Sequence, residues 1–264
     1  MKISVLAENT AHNNSFLCEH GLSLYIETDF NKILFDMGQT NLFEENAKKL
    51  GIDLSQVDIA ILSHGHYDHG GGLKRFLEIN KIAPVFLSRY AFGKHYNSSE
   101  KYIGLDPELQ KNDRLIYVED SLDINKQLSL YTCNHSEKHY PVDSYGLTIM
   151  QNNTLCADPF LHEQYLLIND GNKKALISGC SHKGVLNVAE WFSPDVFVGG
   201  FHFSKLDPNK KEDEKVLHQS ARLLLNDFTK YYTCHCTGTE QFNCLKKIMG
   251  NQIEYISTGK TIII

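Results

Sequence analysis

Short apolar runs alternate along the chain with segments whose apolar positions recur every three to four residues. The two periods divide it into strands and helices. Lys2 to Ala7, Leu22 to Thr28 and Lys32 to Phe35 read as successive strands. Thr40 to Leu50 reads as a helix, with Thr40 or Asn41 as cap and Gly51 as stop. Val57 to Leu62 has the uninterrupted apolar character of a buried strand. Gly71 to Asn80 reads as a helix behind it, and Pro84 to Ser88 as the next strand. Leu115 to Val118, Gln127 to Thr132 and Leu147 to Gln151 add three more strands. Gln164 to Ile168 and Lys173 to Ser178 flank Asn169-Asp170-Gly171-Asn172, the pattern of a hairpin. Lys183 to Phe192 reads as a helix and Asp195 to Val198 as a strand. Pro208 to Phe228 reads as a long charged helix with apolar positions at Val216, Leu217, Ala221, Leu224 and Leu225. Tyr231 to Thr233 (strand), Thr239 to Met249 (helix), then Ile253 to Ser257 and Thr261 to Ile264 (strands) close the chain.

Gly93 to Arg114 breaks this rhythm. It is polar, with Asn97-Ser98-Ser99-Glu100 and Asp106-Pro107, and reads as an insertion or lid rather than a linker. The two halves echo each other faintly. Asp58 to His64 and Asp195 to His202 each run from Asp through an apolar strand to a small-residue turn and a histidine. Alternating strands and helices of this kind predict sheets covered by helices.

Chemistry concentrates where the buried strand ends. His64-Gly65-His66-Tyr67-Asp68-His69 places three imidazoles and a carboxylate within six residues, followed by Gly70-Gly71-Gly72. Imidazole and carboxylate are ligands for divalent transition metals. Positions two apart on an extended backbone face the same side, so His64 and His66 could grip one ion. Asp68 and His69, past the turn, could reach a second.

The 264 residues suffice for one large domain or two small ones, with 42% apolar and 22% charged residues, ordinary for a globular protein. A net charge of −6 argues against a nucleic-acid surface. No segment approaches a membrane span of about 20 apolar residues. Glu8 interrupts the amino-terminal apolar run too early for a signal peptide, so a cytoplasmic protein is expected. The seven cysteines are irregularly spaced, which fits reduced thiols better than a disulfide framework. Gly70-Gly71-Gly72 lacks the order of a phosphate-binding loop and a following Lys-Ser or Lys-Thr.

Taken together, Leu34-Phe35-Asp36-Met37-Gly38, the His64 to Gly72 run, Ile177-Ser178-Gly179-Cys180-Ser181-His182, Gly199-Gly200-Phe201-His202 and Cys234-His235-Cys236-Thr237-Gly238 resemble the metallo-β-lactamase superfamily. The Gly-Cys-Ser-His and His-Cys-Thr-Gly elements resemble the branch of dihydropterin ribofuranosylaminobenzene-phosphate synthase-like proteins. The resemblance spans nearly the whole chain. It implies an α/β fold, a four-layer αββα sandwich in a single domain covering residues 1–264, with the insertion at about 93–114.

It also implies a binuclear centre of two divalent ions, zinc first, with iron or manganese as alternatives. The metal ligands it implies are His64, His66, Asp68 and His69, with His162, Cys180, His182 and His235 as candidates to complete the shells. Cys180 stands where most two-metal hydrolases have a bridging aspartate. A thiolate there favours zinc; alternatively His182 takes that place and Cys180 packs. Asp36 is expected to hydrogen-bond a liganding imidazole and fix its tautomer. Asp68 and His202 are the candidate catalytic residues, His202 as a contact to a ligand or substrate. Di-iron electron-transfer relatives usually carry glutamate at the position of His66, which argues against a redox centre.

Most of the other histidines, His12, His20, His95, His135, His139 and His218, are expected at the surface, with His95, His135 or His139 as possible cleft residues. Lys183 and Lys205 are expected to be solvated, or else to meet an anionic substrate. The expected function is hydrolysis of an ester, phosphoester or related bond of a small substrate, with an anionic one among the options. The alternatives are a pterin-type synthase using the same metals as Lewis acids, and a catalytically silent metal- and ligand-binding protein.

Overall fold

The computed structural model describes residues 1–171, 173–226 and 228–264. Two seven-stranded sheets form its centre. The first runs, edge to edge, Thr261–Ile263, Lys2–Ala7, Ser23–Glu27, Lys32–Phe35, Ile59–Ile61, Val85–Ser88 and Leu115–Val118. The second runs Ile253–Tyr255, Lys230–Thr233, Val196–Gly199, Lys173–Ile177, Tyr165–Asp170, Leu128–Tyr131 and Ser121–Asp123. Pairing is parallel from Lys32–Phe35 outward in the first sheet, and from Lys173–Ile177 to Ile253–Tyr255 in the second.

Side-chain alternation builds the layers. Ile33 and Phe35 point between the sheets, where they meet Leu130, Leu166, Ile177 and Val198. Leu34, between them in sequence, points outward with Ala60 and Leu62, onto Phe43 and Ala47 of helix Leu42–Lys49 and Phe76 of helix Leu73–Ile79. Leu176 and Phe197 of the second sheet face outward likewise. They meet Val188, Leu217 and Leu245 of helices Val185–Phe192, Lys211–Leu224 and Thr239–Met249. The result is the expected αββα sandwich. Burial of each such large side chain contributes about 1.5–3 kcal/mol. Among the described residues no helix is long and apolar enough to cross a membrane.

Local differences from the sequence reading have local causes. The helix expected over Pro208 to Phe228 spans only Lys211–Leu224. Asp207 accepts the Asn209 amide and delays the start; Asn226 accepts the amides of Phe228 and Thr229 and turns the chain at the other end. Of the expected helix's apolar positions, Leu217, Ala221 and Leu224 are buried, and Val216 and Leu225 are exposed. Strands Ser121–Asp123 and Thr154–Ala157 are additions to the sequence reading: the first has a single apolar residue, and the short run Leu155-Cys156-Ala157 of the second is largely exposed. Thr154–Ala157 joins Thr148–Gln151 and His95–Tyr96 in a small third sheet, which ties the polar insertion down. The hairpin Tyr165–Asp170 and Lys173–Ile177 pairs as expected. Asn172 in its turn, and Asp227 near the end of the expected long helix, lie outside the described residues.

Leu166 sits between the sheets with no exposed surface. Leu166→Ala is expected to cost about 2–5 kcal/mol, read from urea unfolding. Ile82→Ala, at an 80% exposed position, is expected to stay within about 0.5 kcal/mol. Equal effects would contradict this layering.

Candidate metal centre

The carboxyl ends of the parallel strands in both sheets converge on one edge, the usual place for a ligand in such a sheet. Asp36 follows Lys32–Phe35, and Ser63 to His69 follow Ile59–Ile61. From the second sheet, Cys180 and His182 follow Lys173–Ile177, His202 follows Val196–Gly199, and His235 follows Lys230–Thr233. Gln164 holds the two sheets together here, donating from Nε2 to the carbonyls of Leu62 and Phe86.

The loops are strained. Asp36, Phe160, Ser181, His202 and His235 are non-glycine residues with positive φ, between 49° and 59°. Such left-handed residues cost of order 1–3 kcal/mol each and cluster at functional sites. Gly179 is required by close approach: a Cβ there would stand 2.2 Å from Ser63 Oγ.

Hydrogen bonds fix which imidazole nitrogens keep a lone pair. Asp36, wholly buried, accepts from the Ser63 amide at 2.7 Å and from Ser63 Oγ at 2.7 Å. Its Oδ2 also lies 2.7 Å from His69 Nδ1, so His69 is the donor there and Nε2 keeps its lone pair. Because the Ser63 hydroxyl proton goes to Asp36, Ser63 Oγ accepts from His64 Nδ1 at 2.8 Å. His64 Nε2 is thereby left with a lone pair too. His235 Nδ1 lies 2.7 Å from Asn9 Oδ1, which sets the same tautomer.

These freed nitrogens face one another. His69 Nε2 and His235 Nε2 are 3.2 Å apart, and His235 Nε2 is 3.3 Å from Asp68 Oδ2. Cys180 Sγ is 3.2 Å from His69 Nε2. On the other side, His182 Nε2 is 3.3 Å from His64 Nε2. Ligand atoms of His64, His66 and His182 lie within 4.8 Å of one another. His66 Nε2 and His182 Nδ1 are buried without a hydrogen-bond partner. Apposed lone pairs and orphaned nitrogens are unfavourable without a cation between them, so the donor set fits a metal.

His162 is in a different situation. Its Nδ1 accepts the Gly65 amide at 2.8 Å, so a neutral His162 carries its proton on Nε2. It forms a buried cluster with His95 and Asp158: His95 Nδ1 is 2.7 Å from Asp158 Oδ2, and the two imidazole centroids are 3.9 Å apart with the rings tilted by 34°. His95, grouped with the surface histidines on sequence grounds, is therefore wholly buried, because Asp158 gives it a partner. Lys183, expected to be solvated, is also buried. All its donors are satisfied by Thr132 O, Asn134 Oδ1 and Glu163 O. Lys205 is exposed.

Several residues of the site escaped the sequence reading. Glu8 accepts the His235 amide and the Tyr255 hydroxyl, and Glu163 accepts the amides of His182 and Lys183. These two buried carboxylates pin the two second-sheet loops. His20 Nε2 lies 3.3 Å from Asp68 Oδ2. Only Glu8, an acid straight after an apolar strand, and Glu163, next to His162, carried any local signal. His202 ends 4.3 Å from the His182 ring, with both ring nitrogens unpartnered. Phe160 stacks on the same His182 ring at 4.6 Å and 13°.

A family model described as the metallo-beta-lactamase superfamily matches residues 18–139. The crystal structure of Tm1679, a metal-dependent hydrolase of the β-lactamase superfamily, superposes with a TM-score of 0.81 at 30% identity, covering 100% of this chain and 99% of that one. An uncharacterized protein of Methanocaldococcus jannaschii is 29% identical, over 98% of this chain and 99% of its own length. A second protein of that organism, named 7,8-dihydropterin-6-methyl-4-(beta-D-ribofuranosyl)-aminobenzene-5'-phosphate synthase, is 28% identical over 99% of this chain and 96% of its own.

Electrostatics gives the metal-free site a pH signature. Burial, then repulsion among the rings, pushes His64 and His182 well below the usual imidazole range. Burial and the neighbouring His162 do the same to His66. Burial and His95 bring His162 from 6.5 down to about 4. Burial would lower His69 as well, but Asp36 and Asp68 outweigh it and raise it. A histidine with a depressed folded value binds fewer protons folded than unfolded, so stability is lost as pH falls through that window. His69 works in the opposite sense but is outnumbered. Chelator-treated protein is expected to lose thermal stability progressively as pH drops from 6.5 to about 4. A flat midpoint across that range would contradict the buried neutral cluster.

Proposed function

Because the chain belongs to the metallo-β-lactamase superfamily, we propose that it is a metal-dependent hydrolase with a binuclear centre, acting on a small-molecule ester, phosphoester or related bond. The observation that carries this reading is the apposition of the His69 and His235 lone pairs, with His182 Nε2 3.3 Å from the lone pair of His64 Nε2 and with His66 Nε2 orphaned beside them. His64, His66 and His182 would hold one ion. Asp68, His69 and His235 would hold the other, with Cys180 as the thiolate beside His69. Sulfur in the donor set favours zinc over manganese. Ions so held supply Lewis acidity and make a nucleophile of water available at neutral pH.

The chain's own residues have distinct tasks in this scheme. Asp36 holds His64 and His69 in the liganding tautomer. His162 is no ligand, since its Nδ1 lone pair is spent on the Gly65 amide; it positions the His64 to His66 loop instead. Asp68 is held ionised: burial opposes this, but the neighbouring His69 and the hydrogen bond from His20 prevail and keep it well below the usual carboxylate range. His202, its ring nitrogens free, is placed to hydrogen-bond an oxygen of the substrate.

A second reading has the 28% identical synthase behind it. In that reading the same centre condenses a pterin precursor with a ribosylated aminobenzene phosphate. Incubating the metal-loaded protein with that pair, beside a screen of phosphoester, thioester, lactam and lactone substrates, separates the two. Turnover in the screen without condensation supports hydrolysis. Tight binding without any turnover favours a silent ligand-binding protein.

Two predictions follow from the ligand assignment. Protein purified without chelator is expected to carry about two ions per chain, His182→Ala about one and His162→Ala about two, by elemental analysis. Asp36→Asn is expected to weaken metal binding about 10–100-fold in chelator competition. Loss of an ion in His162→Ala with retention in His182→Ala would reverse the assignment.

A further inference from the structure

A cavity of about 850 Å³ opens beside the centre, within the size range of small-molecule sites. A smaller one of about 60 Å³, bounded by His182 and His202, shares Tyr145, Gly184, Val185 and Phe203 with it. Phe160, stacked on His182, also lines the large cavity. The large cavity therefore adjoins the space beside the His182 and His202 imidazoles.

Its walls have a definite chemistry. Tyr140, Tyr145, Phe160 and Phe203 bring four rings to it. Helix Lys211–Leu224 turns Asp213, Val216, Gln219, Ser220 and Leu223 toward it. Leu217, Ala221 and Leu224 are buried in the core, whereas Val216 and Leu223, seven residues apart, line the cavity and are 45% and 46% exposed. Two half-exposed apolar side chains with Gln219 and Ser220 between them give the helix wall a mixed apolar and hydrogen-bonding face.

The charge is one-sided. Asp143, Asp158 and Asp213 line the cavity, and among the described residues no lysine or arginine does. Lys183, the nearest basic group in sequence to His182, has all its donors committed inside the protein. A phosphate or sulfonate against this wall, away from the centre, would meet Asp143 and Asp213 with no lysine or arginine beside them.

We propose that this cavity seats the body of the substrate, and that this body is a flat, ring-containing, uncharged group with hydrogen-bond donors, not a phosphorylated or sulfonated one. The placement rests on the hydrolase reading only in that the reacting bond would lie at the centre. The seat itself is testable without turnover.

The test uses a matched pair of fluorescent probes, N-phenyl-1-naphthylamine and its sulfonate, 8-anilinonaphthalene-1-sulfonate, titrated into the metal-loaded full chain. The uncharged probe is expected to bind at least about tenfold more tightly. Val216→Arg, at an exposed wall position, is expected to weaken the neutral probe and tighten the sulfonate. Ile82→Arg, exposed and away from the cavity, is expected to change neither. Equal affinity for the two probes, failure of both to bind, or indifference to Val216→Arg would each overturn the proposal. Probe selectivity without turnover in the substrate screen would sink the hydrolase reading and leave the seat standing. Turnover with unselective probes would do the reverse.

Discussion

The Asp36 carboxylate is the constraint on which the site depends. It lies wholly inside the protein and takes three donors: the Ser63 amide, the Ser63 hydroxyl and His69 Nδ1. Through the serine it also settles the tautomer of His64. One buried group thus aims two imidazole lone pairs at the same small volume. A carboxylate can do this because it only accepts; an amide would offer a proton in place of a lone pair at one position. The cost of burying it is offset because every donor around it is supplied by the protein.

The fold delivers the remaining donors by geometry. Parallel strands end on the same edge in both sheets, and the loops after Ile59–Ile61, Lys173–Ile177 and Lys230–Thr233 carry the liganding candidates there. Buried carboxylates hold these loops in place: Glu8 takes the His235 amide and Glu163 the His182 amide. The left-handed backbone at Asp36, Ser181, His202 and His235 shows that the loops are held against their own preference. The packed cores on both faces of each sheet supply the stability that tolerates this strain. Beyond the edge, the cavity walls change from imidazole to aromatic and acidic within a few residues, from His182 through Phe160 to Tyr145 and Asp143.

Much of the architecture was legible in the chain because period-2 and period-3.6 patterns are local. Lys2–Ala7, Lys32–Phe35 and Thr239–Met249 appear where those patterns place them. The His64 to His69 run was legible because its residues are adjacent, and Asp36 because it ends a strand. The place of His162 was not, because it turns on one backbone amide, that of Gly65, meeting one ring nitrogen across 97 positions. His95 and Asp158 were invisible for the same reason: each is explained only by the other, 63 residues away. Lys183 misled because a lysine beside a turn is usually solvated, and three acceptors from distant segments overrule that default here.

The most direct test of the two-ion assignment is a crystal structure of the zinc-loaded protein, with anomalous scattering collected at the zinc edge. Two peaks are predicted, one ringed by His64, His66 and His182, the other by Asp68, His69 and His235 with Cys180 Sγ beside it. A peak on His162 Nε2 would contradict the tautomer logic on which the assignment stands, as would a single peak remote from Asp68.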